Sequence, residues 1–155
     1  MDAARCLSRL QKLCSKAEYC RADVYRKALK DLEGDEDAAG RVVEQLLADK
    51  YVDDARYASA YAREKASLQG WGPVKIRFQL RAKGVSDANI HAALEEVEPE
   101  KARAKLQKLL ETKAKTLAGD PQFKLKLLKF GLGRGYNYDQ VEEAVSKIFA
   151  TFAAQ

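Results

Sequence analysis

The sequence contains few of the residues from which catalytic and metal sites are usually built. It has one histidine, His91, and three cysteines, Cys6, Cys14 and Cys20, in 155 residues. An odd number of cysteines without a CxxC pair is typical of neither a disulfide framework nor a zinc site. His91 has no serine or cysteine at a spacing that suggests a nucleophile. We therefore expect buried or incidental thiols, a surface or packing histidine, no metal, no cofactor and no enzymatic activity.

Two other arrangements that serve catalysis elsewhere are incomplete in this sequence. Asp53–Asp54 and Glu95–Glu96 are paired carboxylates, but neighbours in sequence point apart on a helix and cannot form an acid/base dyad. The glycine-rich segment 131–135 lacks the preceding strand and the following Lys-Ser/Thr of a phosphate-binding loop. We expect the carboxylates to cap helices or face solvent, and the glycines to end a helix.

Long hydrophobic runs are also absent. No run approaches the roughly 18 apolar residues of a membrane span. The first residues, MDAARCLSRLQ, are charged within two positions and have no apolar core, which is unlike a signal peptide. A cytoplasmic protein without a membrane contact is expected.

Proline is rare, and no stretch alternates as a half-buried strand would. Only three prolines occur, while alanine, leucine, lysine, glutamate, arginine and glutamine dominate, and these residues favour helices. A hydrophobic fraction of 46% beside 33% charged residues is ordinary for a folded protein and argues against disorder. The composition predicts an all-α fold.

The sequence is similar to itself at spacings of 48 and 51 residues. Residues 83–85 match residues 134–136 at an offset of 51, and the apolar positions of 90–97 match those of 141–148 at the same offset. A match in the first third has an offset of 48. Repetition of this kind is typical of stacked helical repeats.

We therefore predict an all-α fold of three tandem three-helix repeats that form an elongated curved array. The predicted repeats are residues 1–52, 53–98 and 99–155. A single compact helical bundle is the structural alternative.

The stretch 51–85 gives the clearest helix boundaries. Asp53 and Asp54 can accept the first amide protons of a helix. That helix must end before Pro73, because proline donates no amide proton and fits best at the first position of a new helix. The second helix should stop at Gly84, since glycine adopts the left-handed conformation at no steric cost.

Both helices of this stretch have apolar positions at helical spacing. The first has one stripe, formed by Tyr57, Tyr61 and Leu68. The second has two strips on different sides, Val74 with Phe78 and Ile76 with Leu80. This pattern predicts that the second helix packs on two sides.

The second helix is also strongly basic. Its cations are Lys75, Arg77, Arg81 and Lys83, and it has no acidic residue. A face that only keeps a protein soluble usually mixes signs, so an anionic partner is favoured over a purely solvated face. Trp71 could stack on a base or fill the corner between the helices, and corner packing is favoured because tryptophan usually buries most of its area.

The net charge of +5 comes from the last third of the chain. Residues 99–155 hold eleven basic and six acidic side chains, whereas 1–50 hold ten of each and 51–98 hold seven of each. This asymmetry suits an acidic protein surface or a nucleic acid. The cations between 101 and 134 are Lys101, Arg103, Lys105, Lys108, Lys113, Lys115, Lys124, Lys126, Lys129 and Arg134.

Three strings in the middle of the chain follow one another in a recognisable order: YVDDARYA at 51–58, WGPVKIR at 71–77 and LRAKGV at 80–85. Together they resemble the central signature of the RecX family, bacterial regulatory proteins that act on the RecA recombinase. LCSKAEYC at 13–20 and GRGY at 133–136 resemble the family's first-repeat entry and third-repeat turn. The resemblance covers nearly the whole chain.

The resemblance implies a regulator without an active site. RecX proteins are curved arrays of three three-helix repeats that lodge in the groove of the RecA–DNA filament and inhibit its ATP hydrolysis, strand exchange and co-protease activity. It also implies a role in DNA recombination, DNA repair and the SOS response, and a monomer is expected. The residues implied as contacts to the filament or its DNA are Arg63, Lys65, Trp71, Lys75, Arg77, Arg81, Lys83, Lys124, Lys126, Lys129 and Arg134.

One departure from the family and one alternative function accompany this interpretation. Gly131 stands where the family usually has a large apolar residue, which predicts an early end to the second helix of the third repeat. The alternative function is a helical module that binds single- or double-stranded DNA directly, with any effect on RecA secondary.

Overall fold

The computed structural model describes residues 1–153, with side chains through Thr151, and these residues form nine α-helices and no strand. The predicted all-α class is confirmed. The helices are α1 Ala3–Lys16, α2 Arg21–Asp31, α3 Glu36–Ala48, α4 Asp54–Ser67, α5 Pro73–Ala82, α6 Asp87–Glu95, α7 Pro99–Thr116, α8 Phe123–Gly133 and α9 Tyr138–Ala153.

The helix boundaries in the middle of the chain follow the local chemistry that the sequence indicated. Asp53 Oδ1 accepts a hydrogen bond from the Arg56 amide at 3.1 Å, so it caps α4. Pro73 is the first residue of α5, and Gly84 follows that helix with a φ of +78°. The Ser86 hydroxyl oxygen accepts an amide proton at the start of α6.

The helices group into two compact units. One comprises residues 1–61 with 80–93, and the other comprises residues 62–79 with 94–155. Their bounds do not coincide with three sequential repeats, and the division at 52 and 98 stays a prediction.

The core of the first unit lies among α1, α2 and α3. Leu10, Val24, Ala28 and Leu46 are fully buried there. All three cysteines are buried, and none of them forms a disulfide. The expectation of buried thiols is therefore confirmed.

Burial also changes the acidity of these thiols. Loss of hydration raises the pKa of Cys6 from 9.0 to about 11, and it raises the pKa of Cys20 from 9.0 to about 11 as well. The folded state therefore holds both protons over a range in which an unfolded chain would release them.

We expect the free energy of unfolding to fall as the pH rises from about 9 to about 11, because the unfolded state then loses these two thiol protons while the folded state keeps them. Urea unfolding across this range measures the fall. A Cys6→Ala/Cys20→Ala variant, although less stable at neutral pH, should lose less stability over the same interval. An equally steep loss in that variant would contradict the assignment.

The core of the second unit lies among α7, α8 and α9. It is built on Leu106, Leu110, Leu127, Val141 and Val145, of which none exposes more than 2% of its surface. Phe152, which continues the apolar pattern of α9 in the sequence, lies outside the side chains that the structure describes.

The predicted early end of the second helix in this last third is wrong. α8 continues through Gly131 to Gly133. A Cβ atom on Gly131 would lie 2.6 Å from Val141 Cγ1. The glycine therefore lets α9 approach α8 closely, and it does so without breaking the helix.

Two packing predictions for the middle of the chain are also wrong. Leu68 does not join the buried stripe of α4, since it is 73% exposed. α5 buries only one of its two apolar strips, because Ile76 and Leu80 are at most 1% exposed while Val74 and Phe78 are 49% and 69% exposed. An apolar strip thus remains uncovered on α5.

Candidate binding surfaces

The corner between α4 and α5 holds Trp71 between two lysines. Lys65 Nζ lies 4.9 Å from the centre of the indole ring, and Lys75 Nζ lies 4.5 Å from it. A cation over an indole face is attracted by the ring's negative potential. Both predicted contact lysines are therefore directed towards Trp71, itself a predicted contact residue.

This corner meets the turn after α8 backbone to backbone. The Gly72 amide donates to the Arg134 carbonyl oxygen at 2.8 Å, and the Val74 amide donates to the Gly135 carbonyl oxygen at 2.9 Å. A Cβ atom on Gly72 would lie 2.4 Å from Gly135 backbone atoms, and one on Gly135 would lie 2.3 Å from Lys75 Cβ. Only glycine fits on either side of this contact.

Arg134 belongs to the same contact. Its Nη2 donates a hydrogen bond to the Gln69 carbonyl oxygen, and its Nε is buried without a hydrogen-bond partner among the described residues. The side chain is half-buried. Arg134 therefore holds the loop after α4, and only part of its guanidinium group can reach a partner molecule.

The cations of α5, and Lys83 just after it, differ in whether an acid of the same chain already neutralises them. Arg81 Nε donates to Asp87 Oδ1 at 2.8 Å, and Lys83 Nζ lies 3.5 Å from Asp23 Oδ1. Arg77 makes no side-chain hydrogen bond or ion pair with any residue up to Thr151. Arg63, exposed on α4, is likewise without an ion pair in the described part of the chain.

The predicted contact lysines of α8 also differ in whether they have a partner within the described part of the chain. Lys126 Nζ lies 2.6 Å from Asp120 Oδ2, and this hydrogen bond lowers the pKa of the Asp120 carboxyl below its ordinary value. Lys124 Nζ lies 5.6 Å from the centre of the Phe149 ring. Lys129 is exposed and has no partner among the side chains that are described.

A basic groove that the site prediction omitted runs along α7 against α8. It encloses a cavity of about 280 Å³. We call it the lysine groove, and its residues are Lys105, Lys108, Leu109, Thr112, Lys113, Thr116 and Phe130.

None of the three ammonium groups of the lysine groove has a carboxylate partner within the described residues. Lys113 Nζ lies 5.5 Å from the centre of the Phe130 ring. Glu111, the acid nearest in sequence, accepts a hydrogen bond from Gln107. The groove therefore combines an apolar floor with unneutralised positive charge.

The sequence held a signal for this groove. Its α7 residues recur at spacings of three and four from Lys105 to Thr116, which places them on one side of a helix. No acidic residue occupies a position of that series. A search for acid-free helix faces would have found it.

The described residues offer little for catalysis. They contain no group of three or more histidine, cysteine or acidic side chains that could hold a metal ion. Burial raises the pKa of Cys14 as it does those of the other two thiols, so the reactive thiolate is disfavoured. None of the helices within residues 1–153 combines the length and apolar character that a membrane crossing requires.

Comparison with known proteins identifies the middle of the chain first. Residues 53–94 match the family model described as RecX, second three-helix domain. This segment contains α4, α5 and α6.

Curated relatives carry the same name. The chain is 34% identical over 131 residues to "Regulatory protein RecX" of Clostridium acetobutylicum, a match that covers 81% of this chain and 60% of that protein. It is 34% identical over 109 residues to the protein of that name from Bacillus mycoides, covering 69% of this chain and 40% of that one. The chain thus spans about 60% or less of the length of these relatives.

Solved structures show the same fold. The crystal structure of RecX from Lactobacillus salivarius superimposes with a TM-score of 0.84 at 22% identity, over 96% of this chain and 97% of that one. A second crystal structure of regulatory protein RecX gives a TM-score of 0.83 at 24% identity, over 94% of this chain and 71% of that one.

The helices of residues 1–153 and the matched domain define an all-α protein with the fold of the RecX crystal structures. The chain belongs to the RecX family, and the resemblance noted in its sequence is confirmed.

Proposed function

We propose that this chain is a non-enzymatic regulator that binds the RecA–DNA filament and inhibits RecA's ATP hydrolysis, strand exchange and co-protease activity. Membership of a family of regulatory proteins supports this role. Such a regulator acts by binding one state of the filament more tightly than the others, since a ligand shifts an equilibrium only by its differential affinity.

The observation that carries the proposal is the lysine groove. Three lysine side chains line one cavity, and their ammonium groups have no carboxylate partner in the described structure. Like charges so placed repel one another, and an anionic partner would relieve that repulsion. A filament of protein around DNA presents both carboxylates and phosphates, and both are anionic.

The residues that we propose as contacts are not all those inferred from the sequence. Arg63, Arg77 and Lys129 carry charge that no described residue neutralises, so they remain proposed contacts. Residues that already pair within the chain have less charge to offer a partner. These are Arg81, Lys83 and Lys126. Arg134 keeps its charge, but its Nη2 is already bound to the Gln69 carbonyl oxygen.

A second candidate function is direct binding of DNA, single- or double-stranded. The lysine groove favours it also, because phosphates bind lysine ammonium groups and release counterions. In that case the chain would need no RecA for tight binding.

Binding to assembled filament and to bare DNA separates the two candidates. RecA is assembled on poly(dT) with a slowly hydrolysed ATP analogue, and binding of the chain is titrated by fluorescence anisotropy at several salt concentrations. We expect at least about tenfold tighter binding to the filament than to poly(dT), weakening as salt rises. Equal or tighter binding to bare poly(dT) would favour the second candidate, and binding to neither would contradict both.

A further inference from the structure

The outward side of α5 carries two large apolar side chains with a half-buried cation at one edge of the pair. Val74 and Phe78 are 49% and 69% exposed, and Arg77 makes no ion pair with a described residue. Positions three and four apart lie on the same side of a helix. We call Val74, Arg77 and Phe78 the α5 outer face.

The fold does not need this face to be apolar. The inward strip of the same helix, Ile76 and Leu80, is already at most 1% exposed. An exposed phenylalanine beside an exposed valine keeps apolar area in water at a cost of about 25 cal/mol per Å². Aromatic residues and arginine are also the types enriched where one protein binds another.

The charge of α5 indicates the chemistry of the partner. The helix has three basic residues and no acidic one, and a further lysine follows at position 83. An acidic surface would complement it. Duplex DNA fits less well, because its outward phosphates gain nothing from contact with Val74 and Phe78. Stacking of single-stranded bases on Phe78 is the competing possibility, and binding to bare poly(dT) tests it.

A similar arrangement recurs on α8, which is an independent observation. Leu125 and Leu132 are 45% and 41% exposed, and Lys129 stands between them at helical spacing. α8 also has no acidic residue. Leu125 corresponds to Val74 at the repeat offset of 51. Exposed apolar groups close to an unneutralised cation therefore occur on both helices, although Lys129 corresponds to Phe78 and not to Arg77 at that offset.

We infer that the α5 outer face docks a protein surface on which an apolar spot is surrounded by carboxylates. This inference rests on the proposed function, in which that surface belongs to a RecA subunit of the filament. Val74 and Phe78 would contact the apolar spot, and Arg77 would pair with one of the carboxylates that surround it. The lysine groove would meet other anionic groups of the filament.

A Val74→Ser/Phe78→Ser variant tests the inference. Both side chains are exposed, so the fold should persist, and circular dichroism checks that it does. We expect its affinity for RecA assembled on poly(dT) to fall by about 30-fold, with binding to bare poly(dT) unchanged. Tyr138→Ser is the matched control, because Tyr138 is a 58% exposed aromatic residue on α9, and its filament affinity should stay within about twofold of the wild type.

Arg77→Glu adds a test of charge. It should weaken filament binding by at least about tenfold, whereas Arg103→Glu, which removes a cation that pairs with Glu100 on α7, should have less effect. Weaker binding to the filament by both the Val74→Ser/Phe78→Ser variant and the Arg77→Glu variant supports the inference.

Three results would overturn the inference, and they differ in what they leave standing. Unchanged filament binding by the Val74→Ser/Phe78→Ser variant would reject the docking face while the proposed function survives. An equal loss on bare poly(dT) would assign the face to DNA instead. A wild-type chain that does not bind the filament would remove the proposed function and this inference together.

Discussion

Gly135→Ala is expected to destabilise the chain by about 3 kcal/mol. Gly135 has a φ of +95°, and an added Cβ would lie 2.3 Å from Lys75 Cβ and 2.8 Å from the Lys75 amide nitrogen. The methyl group would separate the turn after α8 from the start of α5. The hydrogen bond from the Val74 amide to the Gly135 carbonyl oxygen would then weaken. Thermal unfolding should show a lower midpoint by roughly 10 °C.

Gly119→Ala separates the steric clash from the backbone strain. Gly119 has a similar φ of +81°, but nothing lies within 4 Å of its added Cβ. The Gly119→Ala variant should therefore lose only the stability that the strained positive φ costs, about 1 kcal/mol of the free energy of unfolding. Equal losses in the two variants would show that the close contact with Lys75 contributes nothing to stability.

Reversing the charge of the lysine groove is expected to remove most of the regulatory effect. In a Lys105→Glu/Lys108→Glu/Lys113→Glu variant, three unneutralised cations become acids, so attraction to an anionic filament becomes repulsion. The concentration for half-maximal inhibition of RecA's ATP hydrolysis should rise on the order of 100-fold. The dependence of log K on log salt should become less steep by about 2.

A matched variant controls for net charge. Lys101→Glu/Arg103→Glu/Lys147→Glu changes the charge by the same amount, at cations that pair with Glu98, Glu100 and Glu143. It should inhibit within about fivefold of the wild type. Equal loss in both variants would mean that net charge alone, and not the groove, produces the effect. If the glutamate variant of the groove unfolds, the corresponding triple glutamine variant keeps the test open.

The sequence predicted the helix boundaries well where one residue type dominates the local energy. Asp53 can cap only a helix that follows it, Pro73 can begin but not continue one, and Gly84 adopts a positive φ at no steric cost. These effects act within four residues, so no knowledge of the tertiary structure was needed.

The packing of α5 could not be predicted in the same way. Its two strips, Val74 with Phe78 and Ile76 with Leu80, are equally apolar in sequence, and which of them is covered depends on the neighbours that the fold brings up. The role of Gly131 could not be predicted either, because it depends on close packing against Val141, which lies ten residues further on in another helix. Periodicity identifies an apolar strip, but it does not show that anything covers it.

Charge neutralisation was the other feature hidden from the sequence. Lys83 pairs with Asp23, sixty positions earlier in the chain. Arg81 pairs with Asp87, which lies beyond the end of α5. Cations that look equivalent on a helical wheel are therefore unequal as binding groups. The lysine groove was left out of the predicted site for a different reason, because the predicted contacts followed the family resemblance and not a search for acid-free helix faces.

The rate of ATP hydrolysis by RecA on single-stranded DNA tests the central claim most directly. The wild-type chain is added in increasing amounts at constant RecA, DNA and salt. If the chain regulates the filament by binding it, the rate should fall and reach a plateau once the sites are filled, and the lysine-groove variant should leave it nearly constant. A rate that stays unchanged with the wild-type chain in excess over RecA would contradict the account.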